Sequence, residues 1–390
     1  MTLRVGVCGG LMSEVGLAEV QGWATELAAV HKRIAPRFAR AEPRERALAY
    51  LRGLLGGVER KNGWQLAEHA GEATPDGMQR LLSTARWDPD AVRDDLRGYV
   101  TERLGDPAAV LIVDDSGIIK KGTTSAGVQR QYTGTSGKVD NCQIGVFLAY
   151  ASPAGSALVD RELYLPKSWT ADPQRCQAAK VPAGVRFRTK PQLARVMLQR
   201  ALDAGVPAGW VTADEAYGDN PGLRGWLEQQ AQPYVLAVGC ARRWQPTDRP
   251  ARVAVRTLAA EIPEQRWLRI SAGEGAKGHR FYAWARVPLA TPGRDGFGRW
   301  LLVRRSLGDG ELAYYVCWGL AETSLAGLVR VAGARWSIEC DFQQAKQEVG
   351  LDHYEVRRWP GWYRHVTLAM LAHAFLAVVR ACSHPGGRLL

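Results

Sequence analysis

The stretch AVLIVDDSG (residues 109–117) sets the fold. Ala109 to Val113 is a short continuous apolar run, largely β-branched, that gives way abruptly to Asp114, Asp115, Ser116 and Gly117. A run of this length bounded by turn residues predicts a buried strand ending at a polar turn. Trp210 to Thr212, followed by Asp214, repeats the pattern. Open α/β sheets bind ligands beyond their strand ends, so Asp115 and Asp214 are expected at one crevice. Either aspartate by itself fits a turn or a helix cap equally well, and only company gives it a chemical meaning.

A third acid, Glu339, lies in RWSIECDFQQAK (residues 335–346). Trp336, Ile338, Phe342 and Ala345 recur at helical spacing, and neither Gly nor Pro occurs from Ala334 to Val349, which predicts one helix. Arg335, four residues before Glu339, and Lys346, seven after it, then project from nearly the same face. The plainer reading of Arg335 and Glu339 is a solvated pair one turn apart. Asp114 and Asp341 are the tempting misassignments, but adjacent strand residues face opposite ways, and so do residues two apart on a helix. Three carboxylates suit a pair of divalent ions roughly 4 Å apart, the arrangement that cleaves and rejoins phosphodiesters. Magnesium takes one or two carboxylates and fills its remaining positions with water and phosphate oxygen.

A chain of 390 residues, 46% hydrophobic, is long enough for two or three domains around a sizeable core. Its net charge of +12 fits a polyanionic partner bound in a salt-dependent way. The seven cysteines are scattered without a Cys-x-x-Cys pair, which argues against a disulfide framework or a zinc site and for a reducing cytosol. No targeting pattern opens the chain, and Val366 to Val379, interrupted by His373, reads as a core helix, so no membrane partner is expected.

The remaining segments fill out an α/β plan with four parts. Residues 1–106 read as a separate helical domain with breaks at Pro36, Pro43 and Gly56-Gly57. Within it, Trp64 to His69 and Pro75 to Arg86 have the look of a helix-turn-helix that would offer Gln79, Arg80 and Arg86 to DNA, with Thr74 and Pro75 as cap and first-turn residue. Any two short helices joined by a turn give the same pattern. Residues 107–240 alternate strand and helix, with strands at Asn141–Tyr150 and Ala157–Leu165, a helix at Lys190–Ala204, and Lys120 and Lys121 close to Asp115. Residues 241–320 read as a β-rich insertion in which tryptophans (Trp244, Trp267, Trp284, Trp300, Trp318) interleave with arginines, a composition suited either to stacking on unpaired bases or to packing. Residues 321–390 carry Glu339, then Arg357 and Arg358, and end in HPGGRLL, expected as a frayed tail. His353 and His365 lack partners at zinc spacing and read as structural.

Taken together, VDDSGIIKKG, GVQRQYTGTSGKVDNCQIGV, TADEAYGDN and the segment from VRVAGARW to LAHAFL closely resemble the IS701 family of bacterial insertion-sequence transposases, IS4-like DDE enzymes, over about Gly22 to Ala381. The resemblance implies a ribonuclease H-like catalytic core with Asp115, Asp214 and Glu339 as the catalytic acids binding two magnesium ions, for which manganese can substitute. It maps the IS4-like signature of Tyr, Arg, Glu and Lys onto Ala332, Arg335, Glu339 and Lys346, so alanine stands where the family's tyrosine would supply a phosphate or base contact. Its partners would be double-stranded DNA, namely the terminal inverted repeats and the target, engaged by a homo-oligomer in the bacterial cytoplasm. Arg335, Lys346, Lys120, Lys121, Arg357 and Arg358 are the expected DNA-binding residues. The competing readings are a non-catalytic DNA-binding descendant and a small-molecule hydrolase built on the same acids.

Overall fold

The computed structural model describes residues 16–275, 277–290 and 295–383. HPGGRLL lies outside the described residues, as does Cys8. In chain order, five helices come first: α1 (Leu17–Ile34), α2 (Ala41–Leu55), α3 (Gly63–His69), α4 (Asp76–Ser83) and α5 (Pro89–Leu104). Then follow β1 (Val110–Ile119), β2 (Gln129–Thr133), β3 (Lys138–Ser152), β4 (Gly155–Leu163), α6 (Lys167–Thr170), α7 (Pro173–Ala178) and α8 (Lys190–Asp203). The middle holds β5 (Trp210–Ala213), α9 (Glu215–Gly218), α10 (Pro221–Gln229), β6 (Tyr234–Val238), β7 (Arg243–Trp244), β8 (Val253–Ala254) and α11 (Val255–Ala260). Last come β9 (Leu268–Gly275), β10 (Gly278–Leu289), β11 (Phe297–Arg305), β12 (Leu312–Leu320), α12 (Leu325–Ala334), α13 (Trp336–Gln347) and α14 (Trp359–Ser383). These form two compact units, the first from residues to Gly105, Asp115–Thr189 and Glu339 onward, the second from Asp106–Asp114 and Lys190–Ile338.

In the first unit the organising element is α14. It is apolar almost all round, as a helix must be when it is enclosed on every side, and Val366, Leu368, Ala369, Met370 and Leu371 are fully buried. Although long and apolar enough to cross a membrane, it packs instead on β4, α5, α4 and α2. The N-terminal helices therefore share one core with β4 rather than forming a body of their own. Pro43 does not break α2. It sits in the first turn, where the missing N–H would have no helical partner anyway. Asn62 caps α3 by accepting from the Trp64 and Gln65 amides, whereas α4 starts after Pro75 with no side-chain cap. Arg86 lies beyond the end of α4, so of the three expected DNA-reading residues the helix carries Gln79 and Arg80. β3 pairs antiparallel with β2 and with β4, and also neighbours β1.

In the second unit the start of β1 runs parallel to β5, in register from Val110↔Trp210 to Val113↔Ala213. β5 is in turn parallel to β6. Strands β12, β11, β10 and β9 then extend the sheet antiparallel from β6. A mixed sheet of parallel and antiparallel strands with interposed helices is the ribonuclease H-like α/β arrangement, enlarged by the β-rich insertion. Three of the insertion's tryptophans are buried in its interior. Trp284 and Trp318 are each 1% exposed and Trp300 7%. The arginines between them stack on these and neighbouring rings: Arg305 lies 4.3 Å from the Trp267 centroid and Arg286 5.5 Å from that of Trp300.

Candidate active site

β1 does not end at its aspartates. It runs through Asp114 and Asp115 to Ile119, so Asp115 stands in mid-strand where a turn was expected. The strand continues because its far half is neighboured by β3, and pairing outweighs the low strand propensity of Asp, Ser and Gly. In the second unit, β1 and β5 lie side by side and each is followed after its paired segment by an aspartate: Asp114 after Val113, Asp214 after Ala213. Asp114 is engaged by Arg335, whose Nη1 lies 3.1 Å from Oδ2. Asp214 is the N-cap of α9, its Oδ1 accepting the Ala216 amide at 3.0 Å.

Arg335 does not share an unbroken helix with Glu339. α12 stops at Ala334, Arg335 is a turn residue, and α13 starts at Trp336. The interruption has a local cause in the second unit. Arg280 donates Nη2 both to Gly333 O at 3.0 Å and to Ala272 O at 2.6 Å. Gly333 approaches β9 so closely that a Cβ would lie 2.1 Å from Ala272 O. Arg335 is thus held on Asp114, where an outward position beside Glu339 was expected.

In the first unit, Glu339 is exposed in the first turn of α13. At the other end of that helix the Lys346 ammonium, pushed down by burial, donates to Thr135 Oγ1 at 3.4 Å. Thr135 Oγ1 donates in turn to Gly117 O at 2.8 Å. This relay ties the helix carrying Glu339 to the strand carrying Asp115. Gly117 is required there, because a Cβ would meet Thr133 Oγ1 at 1.9 Å. Thr135 is a contributor that sequence reasoning missed, since a threonine in a glycine-rich turn gives no periodic signal. The opposite side of α13 is core: Phe342 meets Phe147 edge to face at 5.2 Å. Asp341 is 2% exposed and accepts from Ser156 Oγ at 2.8 Å. Burial pushes its carboxyl up to about 7.

The expected cations differ in their placement. Lys120 is drawn inward, its Nζ 3.5 Å above the Tyr354 ring and 3.0 Å from Tyr354 O, and burial lowers it to about 8. Lys121, Arg357 and Arg358 are exposed. His353 and His365 are structural: the Lys61 amide donates to His353 Nδ1, and His365 is fully buried between Tyr50 and Gly350.

Asp115 and Glu339 belong to the first unit and Asp214 to the second. Among the described residues no cluster of three His, Cys, Asp or Glu side chains is assembled for a metal ion. The donor chemistry nonetheless fits a hard divalent cation: the three side chains are carboxylates, Glu339 is exposed, and Asp115 and Asp214 are half-buried rather than sealed in the core.

The family model described as "DDE superfamily endonuclease" matches residues 33–262, a span that includes both Asp115 and Asp214. The chain is also similar to a protein described as "Probable transposase for insertion sequence element IS701" from Microchaete diplosiphon, with 23% identity over 324 residues, 80% of this chain and 77% of that protein. With more than half of its length matched by that model, this chain belongs to the DDE superfamily of endonucleases.

Proposed function

We propose that this protein is an insertion-sequence transposase that cuts DNA at the ends of its element and joins the freed ends to a target. The observation that carries the reading is the family match over residues 33–262, which takes in β1, the strand that contains Asp115, and β5, the strand that Asp214 follows. Asp115, Asp214 and Glu339 would hold two magnesium ions, or manganese in their place. When bound, such ions render water or a 3′ hydroxyl nucleophilic and neutralise the leaving oxygen. Asp214, fixed as an N-cap, presents a carboxylate whose orientation is set before substrate arrives. The Lys346–Thr135–Gly117 relay holds the Glu339 helix against the Asp115 strand. Arg335 acts by anchoring Asp114 on the other side of that strand. Lys121, Arg357 and Arg358 contact phosphates, and a net charge of +12 favours the polyanion throughout. The DNA partners are the terminal inverted repeats and the target duplex, held by a homo-oligomer in the cytoplasm so that two ends are cut together.

The test is a labelled duplex carrying the sequences that flank the gene, incubated with magnesium or with EDTA. Magnesium-dependent cuts at the element boundary, lost in Glu339→Gln, are expected. Cutting that survives in Glu339→Gln would remove Glu339 from the catalytic set. Binding without cutting by the wild type would replace the reading with that of a non-catalytic DNA-binding descendant.

A further inference from the structure

The chain has 14 tryptophans, and among the described residues a single one, Trp64 at 56%, is an exposed large hydrophobic. It lies in the second position of α3 and lines a cavity of about 500 Å³ within the first unit. That size is within the range of small-ligand sites. Among the described residues no ring or cation stacks on Trp64, whereas the insertion tryptophans are buried or stacked with arginines. The same cavity is lined by Gln79 from α4 and by three exposed cations, Lys180, Arg357 and Arg358. Those cations stand on segments fixed to their surroundings: the Trp359 amide donates to Ala179 O at 2.9 Å, and the Ala126 amide to Arg357 O at 2.8 Å. Lys180 is held at φ 55°, a left-handed conformation that costs a non-glycine residue energy. The acid in the lining, Glu355, is within reach of the Asn62 amide at 3.4 Å. A ring face, a side-chain amide and a surplus of cations form one recognisable set.

We infer that this cavity binds one unpaired nucleotide of a DNA strand, its base stacked on Trp64 and its flanking phosphates on Lys180, Arg357 and Arg358. Stacking on an indole is indifferent to base identity but needs a base out of its duplex, since a paired base has both faces occupied. This rests on the DNA-cutting reading and adds to it a site lined in large part by the helical region, where the tryptophan-arginine composition had pointed to the β-rich insertion.

The experiment is fluorescence anisotropy, in EDTA, with two labelled probes: a continuous duplex and the same duplex carrying one unpaired thymine. Wild type is expected to bind the bulged probe more tightly. Trp64→Ala should lose roughly tenfold on the bulged probe, with little change on the continuous one, and Trp64→Phe should recover most of the loss. Arg357→Ala with Arg358→Ala should weaken both probes and reduce the salt dependence by about two ions. Equal binding of the bulged probe by wild type and Trp64→Ala, with duplex binding intact, would overturn the nucleotide site and leave the transposase reading standing. Binding of neither probe by the wild type would overturn both. A change in self-association on Trp64→Ala, without any change on the bulged probe, would overturn the site and give the cavity to a second copy of the chain.

Discussion

The middle of β1 and the first turns of α13 solve the same problem differently. Each carries two acids within three residues, and each sends one toward partners inside its own unit. On β1 the alternation of a strand separates Asp114 from Asp115, and Asp114 meets a guanidinium. On α13 a two-residue step turns Asp341 away from Glu339, and the inward acid meets a hydroxyl and the ring of His373. The Asp114 side chain, 15% exposed, has a guanidinium beside it. A carboxyl sealed among apolar side chains is pushed upward instead. The lesson is that neighbouring acids in this chain are not interchangeable, and that what faces each one decides its role.

The strongest way to break the comparison is to neutralise Asp115 and Glu339. Asp115→Asn and Glu339→Gln should each lower magnesium-dependent cleavage about a thousandfold or more, while melting temperature and duplex binding stay near wild type. Loss of folding in either variant would show that these acids are structural like their neighbours. Arg335→Ala should come next, at about 1–3 kcal/mol in chemical denaturation, since it leaves the half-buried Asp114 without this partner. Adding Asp114→Asn to it should recover part of the loss, and additive costs would mean that the two side chains are not coupled.

His365 sharpens the contrast from a third direction, because it is sealed with hydrogen bonds at both nitrogens, from Tyr50 Oη at 2.7 Å and toward Gly350 O at 3.1 Å. Burial pushes it down to about 3. Its folded value lies below its unfolded one, so the stability it contributes is present above about pH 6.5 and is lost as pH falls toward 3. His365→Gln should cost about 1–3 kcal/mol at neutral pH, and its deficit against wild type should narrow on acidification in thermal melts. A deficit that widens would contradict the buried neutral ring. The smallest effect belongs to Asp341→Asn, which keeps an acceptor for Ser156 and should shift stability by less than about 1 kcal/mol and leave cleavage intact. A loss of cleavage comparable to that of Glu339→Gln would erase the distinction between the two acids of α13.

Much of this was legible in local pattern. The apolar run before Asp114 gave β1, and the helix expected at Lys190–Ala204 appears as Lys190–Asp203. What escaped the sequence depends on distant partners. β1 extends past its aspartates because of β3, and the helix around Glu339 is cut at Arg335 because Arg280, far back in the chain, holds the Gly333 carbonyl. The insertion's tryptophans and Trp64 look alike in composition, and their surroundings alone separate core from surface. Arg335 and Lys120 were readable as cations, but nothing in their spacing announced Asp114 or Tyr354 as partners.

The central helix of the first unit has a consequence for how the chain is made. α14 is the last described element to leave the ribosome, yet α2, α4, α5 and β4, all synthesised far earlier, pack against it. Until it emerges, their apolar faces stay uncovered, the condition in which a nascent chain is exposed to aggregation. A message broken before the codon for Trp359 would yield a chain that cannot complete this core, so truncated copies of the gene should supply degraded protein rather than a competing DNA-binding fragment.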